Sequence, residues 1–315
     1  MTDKTAANVH LADATALAQA AILLRGGRLV AVPTETVYGL AARADSESAV
    51  AAIYRAKGRP GFNPLIVHIS SLAAAEGLAR FDDRARQLAA EFWPGPLTLV
   101  LPLREDTGIA PAVTAGLPTI ALRCPAHPVM QALLEQCGLP LAAPSANRSG
   151  AVSPSTAQHV AASLGGAVDL VLDAGPTSQG IESTIVALRD SGWSLLRPGP
   201  ITHDQIAEIL GENASSAASS AAIEAPGQLA GHYAPGKPLR LNAKTADADE
   251  FLIGFGPVTG HVSLSSAGDL AEAAARLYAC LHESAAAPQL RIAVAPVPDV
   301  GIGLAINDRL RRAAA

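Results

Sequence analysis

Aromatic residues make up only 3% of this 315-residue chain, and charged residues 16%. The shortage of aromatics excludes the stacking platforms that hold single-stranded nucleic acid, where successive bases lie on aromatic faces. The three cysteines, Cys124, Cys137 and Cys280, stand far apart with no CxxC pair. They spell out neither a disulfide framework nor a thiolate metal site, and read as reduced thiols of a cytoplasmic protein. No stretch is long and apolar enough to span a bilayer, and residues 1–10 carry no apolar signal core. The net charge of −5 gives no global attraction to RNA or to an anionic membrane, so contact with RNA needs a local basic patch. GxGxxG, GxSxG and HExxH are all missing and the histidines do not cluster, so no metal held by the protein is expected. Apolar residues are plentiful at 49%, enough for the cores of two domains.

Lysine is scarce too. Of 23 basic residues only Lys4, Lys57, Lys237 and Lys244 are lysines. Lys57 lies in Arg55-Ala56-Lys57-Gly58-Arg59-Pro60, just before Asn63-Pro64-Leu65. A lysine kept where arginine is otherwise preferred suggests a position that needs a compact point charge. Three cations in one turn also want an anion. The plainer reading is a helix over 46–56 whose last turn carries cations that suit its dipole. That reading covers Arg55 and Lys57 but not the Gly-Arg-Pro turn beyond, and the segment points to a polyphosphate site.

The first ~210 residues alternate helical and strand patterns at short spacing, an α/β signature. Helices are expected over 13–25, 46–56, 72–78, 83–92, 155–164 and from 202. Strands are expected at 29–33, 65–69, 97–101, 119–123, 140–143, 170–172, 184–188 and 194–196. Residues 213–222 are almost entirely alanine and serine, too small and polar to bury a face, and read as a linker. Residues 211–236 then form a linker between a domain over 1–210 and a small α/β domain over 237–315. In the latter, strands are expected at 239–241, 250–255, 261–264 and 290–295, with helices over 269–282 and 304–312.

Gly231 to Pro238 imitates a P-loop, but Pro238 replaces the required Ser or Thr and no strand precedes it. Six polar segments at strand ends are more informative, since open α/β sheets bind ligands outside the strands' carboxyl ends. They are Pro33-Thr34-Glu35-Thr36-Val37-Tyr38-Gly39-Leu40; Lys57-Gly58-Arg59-Pro60 with Asn63 and His68; Thr119 with Arg123; Pro144-Ser145-Ala146-Asn147 with Ser153; Gly180-Ile181-Glu182-Ser183-Thr184; and Arg197-Pro198-Gly199. Each has a dull alternative. The threonines are turn formers, His68 a satisfied core histidine, and Arg123 and Arg197 salt-bridge partners. Ser145 and Asn147 are caps for the coming helix, and Glu182 is a solvated carboxylate rather than a general base. Their recurrence at strand ends favours a shared anionic site over six coincidences.

Together these residues resemble the threonylcarbamoyl-AMP synthase family with its YrdC-type domain. Lys57, Arg59, Ser145 and Asn147 match the family's Lys-x-Arg and Ser-x-Asn tetrad. The PTETVYGL segment, the KGRP and NPL segments, Ser183-Thr184 and the His-Tyr-x-Pro motif at 232–235 make the match specific. The resemblance implies a YrdC-like twisted open mixed sheet with helices, followed by a Rossmann-like C-terminal α/β domain. It implies that L-threonine, bicarbonate and ATP become threonylcarbamoyl-AMP and pyrophosphate, for N6-threonylcarbamoyladenosine at tRNA adenosine 37. By likeness, Lys57, Arg59, Ser145 and Asn147 are catalytic. Lys57, Arg59, Asn63, Thr119, Ser145, Ser153, Arg197 and Tyr233 are expected on ATP. Thr36, His68, Arg123, Ala143 (through its backbone) and Ser183 are expected on threonine. Magnesium is expected to travel on the ATP phosphates, and the adenylate to pass to the tRNA threonylcarbamoyl-transfer machinery, with at most weak tRNA contact and no membrane. The segment 227–235 is expected to act as a lid.

The chemistry agrees with the residues. Threonine's amine gives a carbamate whose oxygen attacks the α-phosphate, a displacement that depends on positioning and charge neutralisation rather than on a protein nucleophile. One rival, the hydrogenase-maturation carbamoyltransferase, needs paired-cysteine zinc fingers that three scattered cysteines exclude. The other rival is a non-catalytic module that binds double-stranded RNA by shape, which needs few aromatics. Lys57→Ala or Arg59→Ala is expected to abolish ATP turnover with the fold intact, at a cost of ~3 kcal/mol or more in the transition state. Near-normal turnover in a folded Lys57→Ala protein would remove the tetrad assignment.

Overall fold

The computed structural model describes residues 6–211, 224–227 and 232–315. The alanine- and serine-rich run expected as a linker at 213–222 lies outside those residues, as do 228–231 of the expected lid. The chain opens with β1 (Val9–Leu11), α1 (Ala14–Arg25), β2 (Val30–Val32), β3 (Gly39–Arg43), α2 (Glu47–Lys57) and β4 (Ile66–His68). It continues through α3 (Leu72–Leu78), α4 (Asp83–Phe92), β5 (Leu97–Pro102), α5 (Pro111–Thr114), β6 (Thr119–Arg123) and α6 (Pro128–Cys137). Next come β7 (Leu141–Ala142), α7 (Ala157–Leu164), β8 (Leu170–Asp173), β9 (Thr184–Arg189), β10 (Gly192–Arg197) and α8 (His203–Leu210). The C-terminal unit holds β11 (Leu239–Arg240), β12 (Glu250–Gly254), β13 (Val262–Ser263), α9 (Leu270–Ala286), β14 (Arg291–Val294) and α10 (Gly303–Ala313).

Local chemistry starts and stops these helices. Asp13, Ser46, Ser71, Asp82, Thr156, Thr202 and Asp269 are N-caps whose side chains accept from the first turn. α2 ends on Gly58 at φ 60°, a left-handed cap that glycine adopts without strain. Thr156 therefore does the capping that Ser145 and Asn147 were available to do, and leaves both to the site. Four elements escaped the sequence: β1 and α5 are only three and four residues long, and β3 and α6 have physical reasons of their own. β3 is built of small residues and is buried on both faces, so it shows no alternation. α6 is capped by the ring of His127, which accepts from the Val129 amide at 3.2 Å, and histidine is not an expected cap.

Ten strands form one mixed sheet in the order β1-β8-β2-β3-β7-β4-β6-β5-β9-β10. Helices cover it, and a second sheet, β11-β14-β12-β13, is parallel at every pairing. This is the mixed α/β class expected from the sequence, with a smaller α/β unit after it. α1 and α6 pack a core of Leu24, Val30, Leu133, Leu141 and Leu170, while a larger core runs through Ile53, Leu88, Leu99, Leu122 and Val160. The core of the C-terminal unit also takes in Val37, Val152 and Ile181 of the first sheet's loops, which makes the contact between the units apolar. Among the described residues no helix is long and apolar enough to cross a membrane.

The backbones of the two units come close at Gly180. A Cβ there would lie 2.4 Å from backbone atoms of Ala274 and Ala275 in α9, and its φ is 68°. Gly180→Ala combines overpacking with a left-handed alanine, which together cost roughly 2–4 kcal/mol. Urea denaturation should show that loss. An unchanged midpoint would mean that the two units are not packed tightly at this turn.

Candidate active site

Two neighbouring strands set the axis of the site. β4 and β6 run parallel with His68 opposite Arg123 and Ile66 opposite Ala121. At one end Arg59 reaches back to the carbonyls of Asn63 and Pro64, at 3.2 and 2.9 Å. At the other end stand His68 and Arg123. Four residues of extended chain separate Thr119 from Arg123, roughly 13 Å. The shared face expected of these two residues therefore runs along the strand, and only Arg123 of the two lines the cavity. Thr119 opens its strand, and Glu182 and Ser183 precede β9, so the polar segments do not all follow carboxyl ends. In a mixed sheet, starts and ends of strands meet on one edge.

Lys57 closes α2 and is buried, with its ammonium donating to the carbonyls of Ser145 and Asn147, both at 2.5 Å. The Ser149 amide in turn donates to the Lys57 carbonyl at 2.8 Å. These bonds join three of the tetrad, Lys57, Ser145 and Asn147, and fix the 145–149 loop, while Arg59 is held by Asn63 and Pro64. Burial, and then the neighbouring Arg59, hold Lys57 well below its ordinary pKa, and burial draws Arg59 down to about 10. The fold thus keeps two cations where their charged forms are disfavoured.

A cavity lies between these groups. Its wall includes Thr36, His68, Arg123, Ala143 and Ser183, the residues expected on threonine, together with Arg59, Ser145, Arg197 and Tyr233. Lys57, Asn63, Thr119, Asn147 and Ser153 do not line it. The amide oxygens of Asn63 and Asn147 are buried without a partner among the described residues. Arg123 gives Nη2 to Glu35 at 2.7 Å, Nη1 to the Thr36 hydroxyl at 2.9 Å and Nε to the Gly95 carbonyl at 3.3 Å. Two of its five N–H groups are left for a ligand. Burial favours a neutral Glu35, but Arg123 outweighs it and keeps the carboxyl below its usual range. Burial, helped by Arg123, pushes His68 down to about 3. The ring is neutral at pH 7, and its Nδ1 has no partner among the described residues.

Arg197 anchors the far wall. Its Nε and Nη2 bond the Ser183 carbonyl at 3.0 and 2.9 Å, and Nη2 reaches the Ser183 hydroxyl at 3.1 Å. That hydroxyl also pairs with Thr98 at 2.7 Å. The residue expected on the nucleotide thus touches the residue expected on threonine, and the two halves of the site meet there. The Pro226 carbonyl lies 3.4 Å from Arg197 Nη1, and a Cβ on Gly227 would come within 2.9 Å of the Arg197 side chain. Tyr233 covers the cavity from a left-handed backbone, φ 65°, which costs a non-glycine residue roughly 1–2 kcal/mol.

Glu182 is neither a solvated turn carboxylate nor a base. It is buried, and it accepts from Ser153 Oγ at 2.6 Å, Tyr278 Oη at 2.7 Å and Arg309 Nε at 3.0 Å. Burial alone would raise it, but Arg309, Arg197 and the two hydroxyls bring it to about 2, so it does not accept protons near pH 7. Tyr278 and Arg309 were missed as site residues. Arg309 did leave a signal, because it sits between Ala305, Ile306, Leu310 and Ala313 on the buried face of α10. A charge in an apolar stripe needs a buried partner.

The family model described as telomere recombination (Sua5/YciO/YrdC) matches residues 22–199, and that of the threonylcarbamoyl-AMP synthase C-terminal domain matches 201–315. The threonylcarbamoyl-AMP synthase of Bacillus subtilis (strain 168) is 42% identical, over 95% of this chain and 92% of its own length. That of Pyrococcus abyssi is 40% identical, over 93% and 92%. The crystal structure of P. abyssi Sua5 complexed with L-threonine superposes with a TM-score of 0.89, covering 98% of this chain and 97% of that one.

Two desolvated histidines predict an acid limb. His68 titrates at about 3 and His232 at about 4 in the fold, against 6.5 when unfolded. The unfolded chain therefore takes up protons first, and stability falls as pH drops from 6.5 toward 4. The contribution of Glu182 is full above 4.5 and is lost only as pH falls toward 2. Denaturant titrations should show His68→Asn flattening the slope between pH 6.5 and 4. An unchanged slope would mean that His68 is protonated in the fold.

Proposed function

Because the chain belongs to the threonylcarbamoyl-AMP synthase family, enzymes of the nucleotidyltransferase type, we propose that it condenses L-threonine, bicarbonate and ATP to threonylcarbamoyl-AMP and pyrophosphate. The observation that carries this reading is the cavity where Thr36, His68, Arg123 and Ser183 face Arg59 and Arg197. Threonine's carboxylate takes the free N–H groups of Arg123, and its hydroxyl lies among Thr36, His68 and Ser183. The neutral amine adds to bicarbonate-derived carbon dioxide with loss of a proton, giving the carbamate. A carbamate oxygen attacks the α-phosphorus and pyrophosphate leaves, with Lys57, Arg59 and Arg197 balancing the charge of the phosphates. Magnesium comes with the nucleotide. Glu182, the carboxylate on the wall, has both oxygens engaged and is not free to hold a metal.

The same reading makes the adenylate a precursor for N6-threonylcarbamoyladenosine at tRNA adenosine 37, handed to a separate transfer machinery in the cytoplasm. Three buried, free cysteines suit a reducing compartment. The rival reading, a double-stranded RNA-binding module, fits less well. A duplex meets exposed cations, whereas Lys57, Arg59, Arg123 and Arg197 are all buried.

Segment 224–227 and residues 232–235 act as a lid. The enclosed space is about 50 Å³, far below the ~300–1,000 Å³ of a site that holds a small molecule. Admission of ATP therefore requires these segments to move. Tyr233→Ala, which also removes a buried ring and so lowers the thermal midpoint, should lower turnover and weaken ATP binding in the protein that remains folded, and unchanged kinetics would make Tyr233 a packing residue.

Pyrophosphate release tests the reaction. It should require both threonine and bicarbonate, and serine, which lacks only a methyl, should compete better than valine. Valine leaves buried polar groups unpaired at ~1–3 kcal/mol each. Turnover of valine close to that of threonine, or release without bicarbonate, would contradict the proposal.

A further inference from the structure

Two side chains of the C-terminal unit end on the cavity's own wall. Tyr278 of α9 and Arg309 of α10 both bond Glu182 Oε2, at 2.7 and 3.0 Å, while Ser153 holds Oε1 at 2.6 Å. The same two side chains frame Tyr233. The Arg309 guanidinium carbon lies 5.4 Å from the centre of the Tyr233 ring, and the Tyr278 ring stacks on it at 5.6 Å with 27° between planes. Arg309 is wholly buried, and its Nη1 is fixed by the Pro198 carbonyl and by Asp308, both at 2.9 Å. One carboxylate and one aromatic ring are thus gripped together by two residues that touch neither cavity nor solvent.

We propose that Arg309 and Tyr278 are positioning residues of the catalytic site, which set the Ser153 hydroxyl through Glu182 and the Tyr233 ring by direct contact against the nucleotide. This rests on the reading above that places Ser153 and Tyr233 on ATP. The alternative is that the cluster merely joins the two units. Joining does not require it: the apolar cluster around Val37, Val152 and Ile181 and the approach at Gly180 already do so. A buried ion pair is a weak source of stability compared with apolar packing, and its distinctive yield is fixed geometry. The threonine side, although Ser183 follows Glu182 directly, has further partners of its own. Ser183 is held by Thr98 and Arg197, and Arg123 by Glu35 and Gly95. Disturbing the clamp should therefore separate the two substrates.

The test uses the full chain, with ATP and L-threonine binding read separately by calorimetry beside steady-state kinetics. Tyr278→Phe keeps the ring and removes one bond to Glu182, and should fold normally. It should weaken ATP ~10-fold, the scale of one hydrogen bond to a charged group, and leave threonine within about twofold. Arg309→Gln should weaken ATP further in the same direction. If Tyr278→Phe leaves ATP binding unchanged, or weakens both substrates equally, the clamp is a joint between units and the proposal fails. Should the unmodified protein bind ATP yet form no pyrophosphate with threonine and bicarbonate, the functional reading fails instead. The ATP affinities of the two variants would still decide the clamp.

Discussion

An excess of buried positive charge is the constraint on which this site depends. Lys57, Arg59, Arg123, Arg197 and Arg309 are all buried in or beside one cavity, against the buried carboxylates of Glu35 and Glu182. Among the described residues five buried cations face two buried carboxylates, with the partly exposed Asp308 on Arg309 as a third anion. Isolated charges are expensive to remove from water, and such groups ordinarily find partners or change protonation. Here the partners are mostly carbonyls: those of Ser145 and Asn147 for Lys57, Asn63 and Pro64 for Arg59, and Ser183 for Arg197. Carbonyl dipoles hold the cations in place without neutralising them, and the lowered pKa values of Lys57, Arg59 and Arg197 register the remaining cost. An anionic ligand relieves it.

The rest of the architecture supplies that arrangement. A mixed sheet lets strand starts and strand ends share one edge, so α2, the 145–149 loop, β4, β6 and the turn before β9 converge. The parallel register of β4 and β6 spreads the groups along the strands instead of stacking them at a point, which suits the two substrates of the proposed reaction. Segments 224–227 and 232–235 then close over Arg197. Ala234 is tied to Gly150 by a backbone bond of 2.8 Å and His232 to Arg312 at 3.3 Å, so the covering chain answers to both units. The displacement at phosphorus proposed above, governed by position and charge, needs this kind of frame more than it needs a nucleophile.

Much of this was legible in the sequence, and what was not had physical causes. Lys57 stood out because lysine is rare here, and the strand-end motifs showed where polar groups gather. Pairing was not legible. That Arg123 is shared between Glu35 and Thr36, or that Lys57 spends two bonds on carbonyls, depends on loops brought together from distant parts of the chain. β3 was hidden by its small residues, and α6 by an unusual cap. Arg309 was passed over because a basic helix end is usually a matter of dipole and solvent, although its place in an apolar stripe marked it as different. Glu182 alone could be read as solvated or as catalytic. Only its three partners show that it is a fixed anion.

The central claim, that the site is a surplus of buried cations awaiting a polyphosphate, is tested most directly by thermal unfolding with fragments of the nucleotide. Pyrophosphate alone should raise the unfolding midpoint clearly above that in chloride of matched ionic strength, because it relieves the buried charge, and adenosine should do much less. Equal stabilisation by adenosine and pyrophosphate, or none by pyrophosphate, would contradict the account.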